Sequence, residues 1–71
     1  FIFEALVAEV LMKVLQELPL GYKTVFNLYA IEGYSHKEIA KKMNVTVSTS
    51  KSQFSRAKAM LREKISEIEK E

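Results

Sequence analysis

The sequence predicts an all-α fold, a four-helix domain that ends in a helix-turn-helix with a long fourth helix. Only one proline, Pro19, and two glycines, Gly21 and Gly33, interrupt the chain. No segment alternates apolar and polar residues with the period of two that a half-buried strand requires. Apolar side chains instead recur at steps of three and four, which is typical of amphipathic helices.

The length and composition of the chain limit its function. A chain of 71 residues is expected to form one small domain, spanning 1–71, with a modest core. The sequence has no cysteine, which excludes disulfides, thiolate metal sites and cysteine nucleophiles. His36 is the only histidine, so the chain cannot form a histidine metal cluster or a histidine-centred triad. We therefore expect no enzymatic activity and no cofactor.

The first helix is expected within 1–17, from about Phe3 to Glu17. One apolar stripe follows helical spacing and consists of Val7, Leu11, Val14, Leu15 and Leu18. A second apolar flank consists of Phe1, Ile2, Ala5, Ala8 and Met12. Because one small domain cannot cover both surfaces, we expect the second flank to contact a partner. In the free chain, that flank should cause self-association through the first helix.

The apolar start of the chain does not have the features of a membrane segment. Glu4, Glu9 and Lys13 interrupt it, so it falls short of the ~20 apolar residues that span a bilayer. It also lacks the basic leader and cleavage site of a signal peptide. We expect a cytoplasmic protein without membrane contact. Because the first residue is phenylalanine, we expect the chain to be part of a longer protein.

Pro19 ends the first helix and suits the first turn of a second helix, expected at 19–32. Its inward side chains should be Tyr22, Val25, Phe26, Tyr29 and Ala30. Gly33 is a suitable left-handed residue at its end. Ser35 followed by Glu38 matches a capping box, so a third helix should begin there. His36 is expected to be an exposed residue at that helix start.

The segment 35–69 is expected to hold the helix-turn-helix and its extension. The third helix should bury Ile39, Ala40 and Met43, and Asn44 should turn the chain in the left-handed region. Thr46 is the expected N-cap of a fourth helix from Val47 to about Glu67. The apolar stripe of this helix consists of Val47, Phe54, Ala57, Leu61, Ile65 and Ile68. Its length exceeds what the core needs, so the excess should pack against the first helix.

Ser50 interrupts the apolar stripe of the fourth helix. Its hydroxyl could bond to a carbonyl one turn earlier, at some loss of packing. From the sequence alone, Ser50→Val should therefore raise stability by about 1 kcal/mol if the site is dry.

Charge supports a polyanionic partner for this segment. From Gly33 to Lys64 there are eight basic and two acidic residues, a net charge of +6, and no acidic residue lies between Lys41 and Arg62. An acidic residue there would repel phosphate, so the pattern favours nucleic-acid binding over a merely solvated helix face. The outward positions after the turn are Ser48, Thr49, Lys51, Ser52, Ser55 and Arg56. Two short helices joined by a tight turn, the second basic, form the helix-turn-helix pattern, whose second helix is the recognition helix.

Four ordered motifs carry a family resemblance over about 14–65. They are Leu18-Pro19, Tyr22-Lys23-x-Val25-Phe26, Glu32-Gly33-Tyr34-Ser35-x-x-Glu38-Ile39-Ala40 and Val45-x-Val47-x-Thr49-x-Lys51-Ser52-x-Phe54-x-Arg56-Ala57-Lys58-x-x-Leu61. This set resembles region 4 of bacterial sigma factors, the extracytoplasmic-function type especially. LuxR-type regulators share parts of it but favour a histidine shortly after the lysine, where this chain has Gln53 and Phe54.

The resemblance implies that the fourth helix binds the minus-35 element of double-stranded promoter DNA. It also implies docking on the flap-tip helix of the RNA polymerase β subunit, and it leaves open whether an anti-sigma protein binds. The implied base-edge and nearby phosphate contacts are Lys51, Ser52, Ser55 and Arg56. Backbone contacts would come from Thr49, Lys37 and Ser35.

Three positions depart from the family pattern. Where this chain has Asn44, Ser50 and Gln53, the family usually has a glycine, an apolar branched residue and a basic residue, in that order. The last change should weaken the phosphate contacts or alter the preferred sequence. Two other functions stay open: a helix-turn-helix regulator of another family that binds DNA as a dimer, and a helical protein-docking module without DNA binding.

Overall fold

The computed structural model describes residues 2–69, and the side chains of residues 4–68. Its elements are α1 (Ile2–Gln16), α2 (Leu20–Phe26), a π-helical segment (Asn27–Ile31) that we call the π-turn, α3 (His36–Met43) and α4 (Val47–Glu69). Residues 2–69 contain no strand, so the all-α prediction is confirmed. None of the helices in this range is long and apolar enough to cross a membrane.

The core lies where the end of α1 meets the second half of α4. Its buried members are Val14, Leu15, Leu18, Ala57 and Leu61, with Tyr22, Phe26 and Met60 packed against them. Burying one such aliphatic side chain contributes about 1.5–3 kcal/mol, so this cluster fixes α1 against α4. The predicted contact between the long last helix and the first is confirmed. A bridge of 3.3 Å from Lys64 Nζ to Glu17 Oε1 lies at the same junction, but both side chains are partly exposed and it contributes little.

The first half of α1 lies beyond this core. Leu6, Val7 and Val10 are 56%, 50% and 45% exposed, and Met12 is exposed as well. Among the described side chains, the predicted stripe is therefore buried only from Val14 onward, and the expectation that Val7 is buried was wrong. Of the predicted second flank, Ala5 and Ala8 are also exposed, whereas the side chains of Phe1 and Ile2 lie outside the described residues.

The predicted second helix consists of two elements. After Phe26 the backbone widens into the π-turn, where the Glu32 amide donates to the Asn27 carbonyl at 3.0 Å. Val25 is buried as expected, but Ala30 is exposed, so its inward placement was wrong. Tyr29 is 39% exposed, although its ring packs against those of His36 and Phe54. A wide turn shifts every later side chain around the helix axis, and a period of 3.6 does not anticipate this. Gly33 ends the segment at φ 81°, the predicted left-handed conformation.

The caps of the helix-turn-helix are those that the sequence predicted. The Ser35 hydroxyl accepts from the Glu38 amide at 3.1 Å, and the Glu38 carboxylate accepts from the Ser35 amide at 2.9 Å. Asn44 turns the chain at φ 56° and ψ 48°. The Thr46 hydroxyl then accepts from the Thr49 amide at 3.0 Å. These local bonds fix where α3 begins and where α4 begins.

Candidate nucleic-acid interface

One side of α4 faces the core and the opposite side is polar and open. Ser50, Ala57 and Leu61 are buried and mark the inner side. Helical steps of three and four place a line of serines on the outer side, with one cation on each flank of that line. We call this surface the outer face of α4; it consists of Ser48, Lys51, Ser52, Ser55 and Arg56, all exposed. The two ends of the apolar stripe depart from the prediction, since Val47 and Ile68 are 39% and 47% exposed.

Two predicted contact hydroxyls of α4 already have partners. The Thr49 hydroxyl accepts from the Thr46 hydroxyl at 2.9 Å, so its own proton stays available for an acceptor on DNA. The Ser52 hydroxyl donates to the Thr49 carbonyl at 3.1 Å, so it must leave that carbonyl to donate elsewhere. Thr49 is half-buried, which places it at the edge of the outer face.

Three of the predicted DNA contacts are cations. Lys37, Lys51 and Arg56 are exposed. Within the described residues the ion pair is that of Lys64 with Glu17, so these three have no carboxylate partner there. Lys58 instead lies over the Phe54 ring, with Nζ 5.0 Å from the ring centroid, an aromatic contact that the charge pattern alone did not reveal.

The start of α3 adds a second set of donors. Ser35 and Lys37 lie on either side of the first residue of this helix and are both exposed. The Ser35 hydroxyl accepts from the Glu38 amide, and it also interacts with the Glu38 carboxylate, so it is engaged within the cap. Hydrogen bonds from Ser35 lower the pKa of Glu38 below its ordinary value. The Glu38 carboxylate is thus charged at neutral pH and engaged with the cap.

His36 does not have the exposed position that the sequence suggested. It is half-buried, its Nδ1 lies 2.9 Å from the Ser50 hydroxyl, and its ring stacks on Tyr29 with centroids 4.2 Å apart. The buried Ser50 therefore bonds to His36 and not to a carbonyl one turn earlier. The two residues are 14 positions apart, and no local pattern in the sequence signals such a pair.

Gln53 also differs from the expectation. Its Oε1 is buried without a hydrogen-bond partner in the described part of the chain, and a Cβ on Gly21 would lie 4.0 Å from that atom. The amide of Gln53 is thus directed at α2, away from the outer face of α4. A direct effect of this side chain on phosphate contacts is therefore not supported by the geometry.

The comparison with known families gives a match over most of the chain. The family model described as Sigma-70, region 4 matches residues 8–61. The match contains both helices of the helix-turn-helix up to Leu61, and every predicted contact residue from Ser35 to Arg56. No curated protein and no solved structure matches the chain.

Proposed function

The chain belongs to the sigma-70 region 4 family, and we propose that it binds the minus-35 element of promoters through α4, as region 4 of an extracytoplasmic-function sigma factor. Membership of this family itself supports promoter DNA binding during transcription initiation, and it implies an interaction with RNA polymerase. The extracytoplasmic-function type is supported by the Lys-Ser-x-Phe-x-Arg-Ala-Lys run that begins at Lys51. We treat residues 1–71 as one domain with this function.

The outer face of α4 is the observation that supports this proposal most strongly. The major groove of DNA is about 12 Å wide and accepts a single helix. A helix that enters it must present short hydrogen-bonding groups and cations, and no carboxylate that would repel phosphate. Lys51 and Arg56 can donate to guanine O6 and N7, and the serines between them can bond to any base. This side of α4 offers both kinds of group on one surface.

The start of α3 would contact the phosphate backbone beside the groove. Lys37 would provide a cation there and Ser35 an exposed hydroxyl oxygen beside it, and the first amides of a helix also point toward bound anions. Thr49 would add a donor from the edge of the outer face. Such contacts set the position of the domain on DNA but carry no sequence information.

Binding to duplexes selected from a randomised pool tests the proposal. Arg56→Ala and Lys51→Ala should each weaken binding to the selected duplex by about 1–3 kcal/mol if a base contact is lost. Lys13→Ala is the matched control, because Lys13 is an exposed cation on α1, a helix outside the proposed DNA interface. The proposal fails if no sequence is enriched, or if all three variants bind like the unmodified chain.

We extend the proposal to docking on the flap-tip helix of the RNA polymerase β subunit. Family membership implies an interaction with RNA polymerase, and the exposed first half of α1 offers an apolar surface for a helix of that kind. The double variant Val7→Glu, Val10→Lys keeps the net charge at +2 and should abolish binding of a labelled flap-tip peptide, while Lys13→Ala retains it. Unchanged binding by the double variant would refute docking through α1. An anti-sigma protein that used the same face would compete with the peptide.

A further inference from the structure

The imidazole of His36 connects three elements of the domain. His36 begins α3, and its Nδ1 lies 2.9 Å from the hydroxyl of Ser50 in α4. The Tyr29 ring of the π-turn stacks on it at 4.2 Å and 12°. The Phe54 ring of α4 meets its edge at 5.8 Å and 62°. Since Ser50 is fully buried, water does not compete for this hydrogen bond, which is therefore stronger than an exposed one.

The burial of Ser50 determines the direction of the bond. In the described part of the chain, the Ser50 hydroxyl bonds to His36 Nδ1 alone. A buried O–H without an acceptor is more costly than a spare lone pair, so Ser50 donates and Nδ1 accepts. The neutral ring then carries its proton on Nε2. Among residues 4–68, Nε2 of His36 has no hydrogen-bond partner. It is not one of the buried atoms without a partner in that range, of which Gln53 Oε1 is the example, so Nε2 reaches solvent.

Ser50 is adjacent along the chain to residues that the proposed function places in the groove, although its own side chain is on the inner side of α4. Lys51 is its neighbour, and Ser48 and Ser52 are two positions away. A recognition surface works only when its groups are held within about 0.5 Å and 10–20° of the required geometry. An apolar contact at position 50 would be non-directional, whereas a hydrogen bond weakens steeply with angle and so fixes the rotation of α4 about its axis.

We propose that His36 is a positioning residue for promoter recognition, which orients the outer face of α4 through its hydrogen bond to Ser50. Tyr29 and Phe54 hold the imidazole in the plane that this bond requires. The inference depends on the proposed function, because it assumes that α4 binds the promoter. It assigns part of the sequence specificity to two side chains that need not contact a base.

The first test measures discrimination, the ratio of affinities for the selected and a scrambled duplex. His36→Phe keeps an aromatic ring but removes Nδ1, and Ser50→Ala removes the hydroxyl. Each should reduce the ratio roughly fivefold, the equivalent of one buried hydrogen bond. The double variant should be no worse than either single variant, because both remove the same bond. His36→Asn places an acceptor near the position of Nδ1 and should restore most of the ratio.

The second test observes the tautomer directly by ¹⁵N NMR of the histidine ring. The unmodified chain should show the Nε2–H form, and Ser50→Ala should lose that preference. An Nδ1–H form, or full discrimination in folded His36→Phe and Ser50→Ala, would overturn the inference. Failure of the proposed function has a different signature, since the unmodified chain would then prefer no duplex at all.

Discussion

The start of α1 and the helix-turn-helix differ in the burial of their apolar side chains and in the hydrogen-bond partners of their polar ones. In the helix-turn-helix, Ser35, Thr46 and Ser50 each have a partner within the described residues, and Val25 and Ile39 beside them are fully buried. Along 4–12 of α1, the side chains of Leu6, Val7, Val10 and Met12 are exposed, and no side chain there forms a hydrogen bond within residues 4–68.

This difference shows which part of the chain is self-sufficient. The helix-turn-helix obtains its geometry from contacts inside the domain, and the outer face of α4 is polar and therefore stable in contact with water. The start of α1 is helical without a covering layer, and an exposed apolar surface of that kind is typical of a protein contact. This contrast supports the proposal of two separate binding surfaces, a polar one on α4 and an apolar one on α1.

The largest effect should be a difference in stability when leucine is replaced by alanine at a buried and at an exposed position of α1. Leu15 is 1% exposed and Leu6 is 56% exposed. Leu15→Ala should lower the free energy of unfolding by about 2–5 kcal/mol because it leaves a cavity in the core. Leu6→Ala should change it by less than about 0.5 kcal/mol. Urea unfolding of both variants measures this, and equal losses would show that the start of α1 is packed after all.

The next effect concerns the association of the free chain. In a solution of this chain alone, a second copy is the only protein that can cover the start of α1, so the apparent mass should rise with concentration. The variant Val7→Glu, Val10→Lys should stay monomeric and bind DNA normally. Sedimentation at several concentrations decides the matter. A monomer into the high micromolar range for the unmodified chain would contradict the prediction.

A smaller effect is expected for Ser50→Val, for which the sequence alone and the structure predict stability changes of opposite sign. The sequence alone favoured a gain of stability for Ser50→Val, because a serine interrupts an apolar stripe. In the structure the same change leaves Nδ1 of His36 without its partner, so we expect a loss of about 1 kcal/mol. Ser55→Val, on the outer face, is the control and should be nearly neutral. Thermal melts that show a more stable Ser50→Val protein would restore the original interpretation.

The smallest effect should be the pH dependence of the α3 cap. Hydrogen bonds from Ser35 lower the pKa of Glu38 in the folded chain. The unfolded chain binds this proton at higher pH, so the contribution of the cap is complete above the ordinary glutamate range and is lost as the pH falls through the lowered value. Glu38→Gln should flatten this part of the stability curve. An unchanged acid limb in unfolding curves would contradict the assignment.

The local features of the fold could be predicted because each depends on neighbouring residues. Pro19, Gly33 and Asn44 fix turns through their backbone preferences, and Ser35 with Glu38 forms a cap within one helical turn. The apolar spacing in α4 likewise identified Ala57 and Leu61 as core. The outer face of α4 follows from the same spacing, since a helix with one buried side has a defined opposite side.

The features that could not be predicted depend on tertiary structure. The π-turn changes the helical period without a local signal at Asn27, so the exposure of Ala30 was not predicted. The pair of His36 and Ser50 forms only when α3 packs on α4. The exposure of Val7 depends on where α4 ends its contact with α1, and the pattern of apolar residues in α1 does not contain that information.

Amide chemical shifts during titration with the selected duplex test the central claim most directly. The largest changes should occur at the start of α3, from Ser35 to Lys37, and along α4 from Ser48 to Arg56, and the shifts of residues 4–12 of α1 should stay unchanged. Changes confined to α1, with both of these segments unaffected, would contradict the claim that α4 binds the promoter.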